Sequence, residues 1–219
     1  MNELVRWSWI SDHLDDIGTA TLEHLQLTVI AVAIGFAIAF PIAVYVQRHR
    51  RVFGPVIWTT GILYTIPSLA LFAFLVPYTG FATTTTAEVG LVSYTLLIII
   101  RNTVAGFDSV PADVKEAAIG MGYTRRQMLR KVELPLAIPA IVAGLRIATV
   151  TTIGLVTVTA LVGKGGLGIL ILQGLQRFFS TMVIVGAVLS MLLAIAADRL
   201  LIFIERRLTP WAHERARTV

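Results

Sequence analysis

The run LTVIAVAIGFAIAFPIAVYV, residues 27–46, holds twenty residues without a charge. A helix rises about 1.5 Å per residue, so about twenty apolar residues cross the hydrocarbon of a bilayer. The pattern recurs. Spans are expected at about 25–46, 55–76, 89–107, 136–162 and 181–204, the third and fourth being less uniformly apolar. The chain is 56% apolar and 14% charged, whereas soluble domains run near 45–50% and 25%. The expected fold is therefore all-α: one polytopic membrane domain over residues 1–219, with five transmembrane helices.

Lysine and arginine in short loops set orientation. Arg48, Arg50 and Arg51 fall between spans one and two. Lys115, Arg125, Arg126, Arg130 and Lys131 fall between spans three and four, and Arg206, Arg207, Arg215 and Arg217 follow span five. The other side receives only Arg6, Lys164 and Arg177. The expected topology in the cell (plasma or inner) membrane is N-terminus outside and C-terminus cytoplasmic. The basic pI near 10 is accounted for by this placement, so no nucleic-acid partner is expected. The N-terminus has Glu3, Asp12, Asp15 and Asp16 where a secretory signal would be positive. Trp7, Trp9, Ile10, Leu14 and Ile17 can form one apolar face of a helix at the lipid–water boundary. There are no cysteines, which removes thiolate metal sites and thiol nucleophiles.

The loop of about residues 108–135 is long for an idle connector. Pro111 suits the first turn of a helix, and Asp113 complements the helix dipole there. Val114, Ala117, Ala118 and Met121 give that helix a small apolar face. It ends near Gly122, which tolerates the left-handed conformation of a helix C-terminus. Thr124 and Gln127 have capping-box spacing for a second short helix, and Pro135 suits the start of span four. Two short helices too polar to insert read as a docking surface for a soluble partner; a plain solvated loop is the other reading.

The same loop carries Glu116-Ala117-Ala118, then Gly122, Val132 and Leu134-Pro135. That register resembles the signature loop of binding-protein-dependent ABC importer permeases, with Val132 where isoleucine is usual. LLIIIRNTVAGF (96–107), KVELPLAIPAIVAGLRIATV (131–150), ALVGKGGLGILILQGL (160–175) and IPSLALFAFLVP (66–77) resemble the osmoprotectant subgroup, importers of glycine betaine, carnitine and choline. The resemblance implies a type I, methionine-permease-like fold. It makes Glu116, Ala117, Ala118, Gly122, Leu134 and Pro135 the coupling positions that rest on an ATPase subunit. It further implies two ATPase subunits holding ATP and magnesium, a second permease chain (a heterodimer is favoured), an extracytoplasmic substrate-binding protein, and no catalysis by this chain.

Other features are second-rank. Gly163, Gly165 and Gly168 match GxGxxG, but that fingerprint needs a βαβ unit. With Gly166 they read instead as a tight turn closing the outer mouth of a translocation path. No GxxxxGK[ST] occurs, so this chain cradles no ATP phosphates of its own. Arg146, Thr149, Thr152, Thr157 and Thr159 share an arc of span four. They line the path, or they pack between helices with Arg146 on an acid and the hydroxyls bonded back one turn. Pro41, Pro67 and Pro139 can kink their spans. Thr83–Thr86 reads as a loop, and the four histidines lack metal-ligand spacing. Two competing functions stay open: an importer for an amino acid or other small solute, and a secondary transporter or channel without an ATPase.

Overall fold

The computed structural model describes residues 4–210. Arg215 and Arg217, which enter the charge argument above, lie outside the described residues, as does Glu3. The described chain is helical. The elements are α1 (Trp7–Asp12), α2 (Leu14–Arg48), α3 (Phe53–Thr65), α4 (Ser68–Thr79), α5 (Thr84–Asp108), α6 (Ala112–Gly120), α7 (Arg125–Met128), α8 (Leu134–Thr159), α9 (Leu167–Gln176) and α10 (Ser180–Leu208). Among the described residues four helices are long and apolar enough to cross a membrane. A bent pair, Arg50–Thr65 with Ser68–Thr79, makes a fifth if it is one span. Val29, Ile30, Ile34, Ile38, Trp58 and Phe203 are exposed on this bundle. An apolar exterior of that extent suits hydrocarbon rather than water; the chain is a multi-pass membrane protein.

The structure refines two of the expected spans and corrects two local readings. The helix that carries the first span is longer than its apolar run: α2 is one helix of 35 residues from Leu14. The interfacial face expected at the N-terminus is divided, because Trp9, Ile10 and Ile17 pack onto Leu167, Met182 and Phe179 while Trp7 and Leu14 stay exposed. At Pro67 the kink expected from the sequence is a full break; α3 and α4 meet at 93°. Pro67 has no N–H and disfavours the helical conformation of the residue before it, and Ile66 is extended (φ −62°, ψ 128°). Ile66 O, freed by the break, accepts the Tyr94 hydroxyl of α5. By contrast, Pro41 and Pro139 sit inside continuous helices. Thr83–Thr86 is no loop. Thr83 is the N-cap of α5, its Oγ1 accepting from Thr86 N at 3.2 Å, which is the role threonine plays well at a helix start.

The centre of the bundle is α2, α5 and α8. Leu27, Ala31, Phe72, Ala87, Leu91, Val156 and Val162 form one core cluster, and Ala39, Ala43, Val46, Ile99, Ile100, Val104 and Ala148 another. Lipid offers no hydrophobic drive between helices, so close approach of small residues supplies the packing. At Gly144 a Cβ would stand 2.5 Å from Asn102 Cβ.

Candidate functional site: the loop between α5 and α8

The loop is built on three anchors. Arg50, in the turn after α2, forms a bidentate pair with Asp108 at the end of α5, and that bond pushes the guanidinium further up from its ordinary range. Lys115 of α6 reaches back, donating to Phe107 O at 3.2 Å and standing 3.7 Å from Glu133. Ala118 is buried beneath α6. Lys115 thus ties α6 to the ends of both neighbouring spans, while Arg50 ties the end of α5 to the turn after α2.

Pro111 is the N-cap, one position before the helical residues, and Asp113 lies in the first turn. The helix ends as glycine allows. Gly122 has φ +78°, its N–H bonds Ile119 O at 2.9 Å, and Tyr123 N–H bonds Ala118 O at 3.1 Å. This pair of bonds is the Schellman arrangement, which needs a left-handed residue at its bend. The capping box is present as spaced in the sequence, with Thr124 and Gln127 bonding reciprocally. The second short helix is not free-standing, however. From α7 a π-helical stretch, Leu129–Glu133, runs straight into α8, so helix continues from Arg125 to Val162. Pro135 cannot donate to Lys131 O and its ring crowds that carbonyl; the wider turn just before it relieves the crowding.

The expected coupling positions divide accordingly. Glu116, Ala117 and Gly122 are exposed; Ala118 faces inward; Leu134 and Pro135 are half-buried where α8 begins. The apolar face expected for α6 is split, because Ala118 packs while Val114 and Met121 project outward with Ile119, the last two about two-thirds exposed. A groove of about 320 Å³ runs beside them, lined by Val44, Gln47, Tyr123, Met128, Leu129 and Glu133 among others. The loop thus raises exposed apolar side chains on a charged, well-anchored frame beside a groove.

The residues proposed for a path differ in exposure. Thr152 and Thr159 are buried, whereas Thr149 and Thr157 are half-buried. Thr149, Thr157 and Thr159 bond back to Leu145, Gly154 and Val156 carbonyls. Arg146 donates to Asp198 at 2.9 Å and lies 3.9 Å from Glu205, both on α10. An acid partner is one of the two readings of Arg146, but which acids supply it was not foreseen. The signal was two acids seven residues apart, hence on one helix face. Gly163 (φ +85°) and Gly166 (φ +48°) do make a tight turn. Gly165, Gly166 and Gly168 are buried against Ala160, His24 and Thr157, and Lys164 pairs with Glu23 at 3.5 Å. The ten-residue helix α9 follows this turn where only a connection was expected.

Fold and site together define a multi-pass helical membrane protein with a charged, anchored loop between α5 and α8. The chain belongs to the family described as binding-protein-dependent transport system inner membrane component, which matches residues 23–210. It is 37% identical over 206 residues to the osmoprotectant import permease protein OsmW of Salmonella typhimurium strain LT2, covering 92% of this chain and 96% of that one. It is 40% identical over 195 residues to the choline transport system permease protein OpuBB of Bacillus subtilis strain 168, covering 89% of each. The solved inward-facing structure of the MetNI methionine ABC transporter matches with a TM-score of 0.80 at 26% identity, over 90% of this chain and 98% of that one.

Proposed function

We propose that this chain is the membrane-spanning subunit of an ABC importer that takes up quaternary-ammonium osmoprotectants such as glycine betaine, carnitine or choline. The observation that carries the reading is the α5–α8 loop: Glu116, Ala117 and Gly122 lie exposed on and just after a helix that Lys115 ties to the end of α5 and to Glu133 at the start of α8. A partner that moves α6 therefore moves the ends of α5 and α8. Substrate class follows relatives named for osmoprotectant and choline transport. The likeness to a methionine transporter at 26% identity supports the second reading, an amino-acid importer, less strongly.

In this account the bent α3–α4 pair is one of five spans. The loop and the C-terminus are cytoplasmic, and the Gly163–Gly168 turn lies outside. Two ATPase subunits bind and hydrolyse ATP with magnesium and press on two such loops, one from this chain and one from a second permease chain. A binding protein delivers substrate at the outer face. This chain holds the path and relays motion, and it breaks no bond. Arg146 with its threonines, and the glycine turn as an outer closure, remain the positions proposed for the path. The test is co-purification. An ATPase subunit should be retained by the wild-type chain and lost with Glu116→Lys. Retention of no ATPase by a folded chain refutes the importer reading in favour of a secondary transporter or channel.

A further inference from the structure

The chain makes the same helix ending twice with different residues. At the end of α6 the left-handed bend is Gly122. At the end of α9 it is Phe178, at φ +52°. The hydrogen bonds are the same pair: Phe178 N–H to Leu175 O at 3.3 Å and Phe179 N–H to Gly174 O at 2.8 Å. Glycine is the residue that fits this bend, and a bulky side chain at positive φ is a strained outlier. Phe178 gains nothing in return within its own fold. Its exposure is 98%, so the ring contacts essentially nothing. The next residue shows what this locality does with an aromatic ring it uses: Phe179 meets Trp9 edge-on at 5.5 Å and carries the Arg6 guanidinium at 5.3 Å. Strain of this kind persists where it serves function.

The surroundings of Phe178 indicate the partner. A hollow of about 420 Å³ is lined by its chain neighbour Arg177 together with Trp9, His13, Asp16, Gln173 and Met182. Four of those six are polar or charged, so this end of the bundle stands in water rather than in hydrocarbon. A bare aromatic ring beside an arginine and a polar rim is the composition of a protein–protein anchor. It lies at the opposite end of α10 from the basic C-terminal residues Arg206 and Arg207, which is the outer face in the orientation proposed above.

We propose that Phe178 is the anchor by which the outer face of this chain engages its soluble substrate-binding protein, the ring entering a pocket on that partner. This rests on the importer reading, and the experiment separates the two. The complete transporter is reconstituted in liposomes, and ATPase activity is titrated with its binding protein for wild type, Phe178→Gly, Phe178→Asn and Phe178→Trp. Glycine and asparagine both accept the left-handed bend, so these two chains should melt no lower than wild type. Yet they should need at least about tenfold more binding protein for half-maximal stimulation, the scale of a lost interface anchor. Tryptophan should retain the wild-type concentration dependence. An unchanged half-maximal concentration in both αL-tolerant variants overturns the proposal and leaves the importer reading intact. A lower melting temperature in the liposomes with unchanged stimulation assigns Phe178 to the lipid headgroup layer and overturns it too. Wild-type ATPase activity that ignores the binding protein removes the importer reading and this proposal with it.

Discussion

Replacing Gly122 by valine should loosen the end of α6 without touching a single side-chain contact. No atom lies within 4 Å of where a Cβ would be built there, so the whole effect is conformational. Holding an L-residue in the left-handed region costs roughly 1–2 kcal/mol, and a β-branched residue lies at the upper end of that range. If the strain is relieved by opening the turn, the bonds from Gly122 N to Ile119 O and from Tyr123 N to Ala118 O are lost together. A free-energy change of that size alters the closed-to-open ratio by a factor of about 5–30. Hydrogen exchange of the amides at residues 122 and 123 should accelerate by this factor, while amides in the centres of α5 and α8 hold their protection. Gly122→Asn, which tolerates the same bend, should accelerate exchange far less. ATP-driven uptake should fall in the same order. Equal exchange in the valine and asparagine variants would refute the reasoning, because it would mean that the left-handed bend is not what glycine supplies.

Three further outcomes follow from the packing. Tyr94→Phe removes the hydroxyl that satisfies Ile66 O at the α3–α4 break. Stranding that carbonyl should cost about 1–3 kcal/mol, read as a lower midpoint of thermal unfolding in detergent; an unchanged midpoint would show that the break needs no such partner. Arg146→Gln leaves Asp198 and Glu205 without their base. A double-mutant cycle with Asp198→Asn should report coupling on the order of 1 kcal/mol, the pair being partly exposed, and a cycle that sums additively would deny the pairing. If Arg146 only packs, the double variant transports normally; if it lines the path, uptake stays low although stability recovers. Gly144→Ala should destabilise by about 1–3 kcal/mol, because the new methyl meets Asn102 at 2.5 Å; a neutral result would mean that α5 and α8 are not held this close.

Much of the fold is legible where one residue type decides one local event. Long uncharged runs mark spans because backbone polarity in lipid can be satisfied only within a helix. Gly122 and the Thr124/Gln127 spacing mark a helix end and a helix start, and both stand where they were read. What escaped is decided between segments. Pro67 marked a kink but not its size, since hydropathy is continuous across the 93° break, and the carbonyl it frees is met by Tyr94, 28 residues away. The early turns of α2 contain Asp15, Asp16, Glu23 and His24, which depress hydropathy. His24 is nevertheless buried, meeting Ile153 O at 3.0 Å, a contact no local pattern announces. The helix α9 is too short to register as a span and follows a glycine run that reads as connection. At the loop itself the polar, non-inserting character of the segment was legible from its charges, whereas Ala117, expected on the apolar face of α6, is exposed. The inward turn of Ala118 and the π-helical join to α8 depend on where α5 and α8 end relative to each other.

The central claim is tested most directly by uptake of labelled glycine betaine into liposomes. They would contain this chain, its second permease chain and its ATPase, with binding protein outside and ATP within. The account predicts ATP-dependent accumulation, competed by carnitine or choline and abolished by Glu116→Lys. Absence of accumulation in a preparation whose ATPase activity responds to the binding protein would contradict the assigned substrate class.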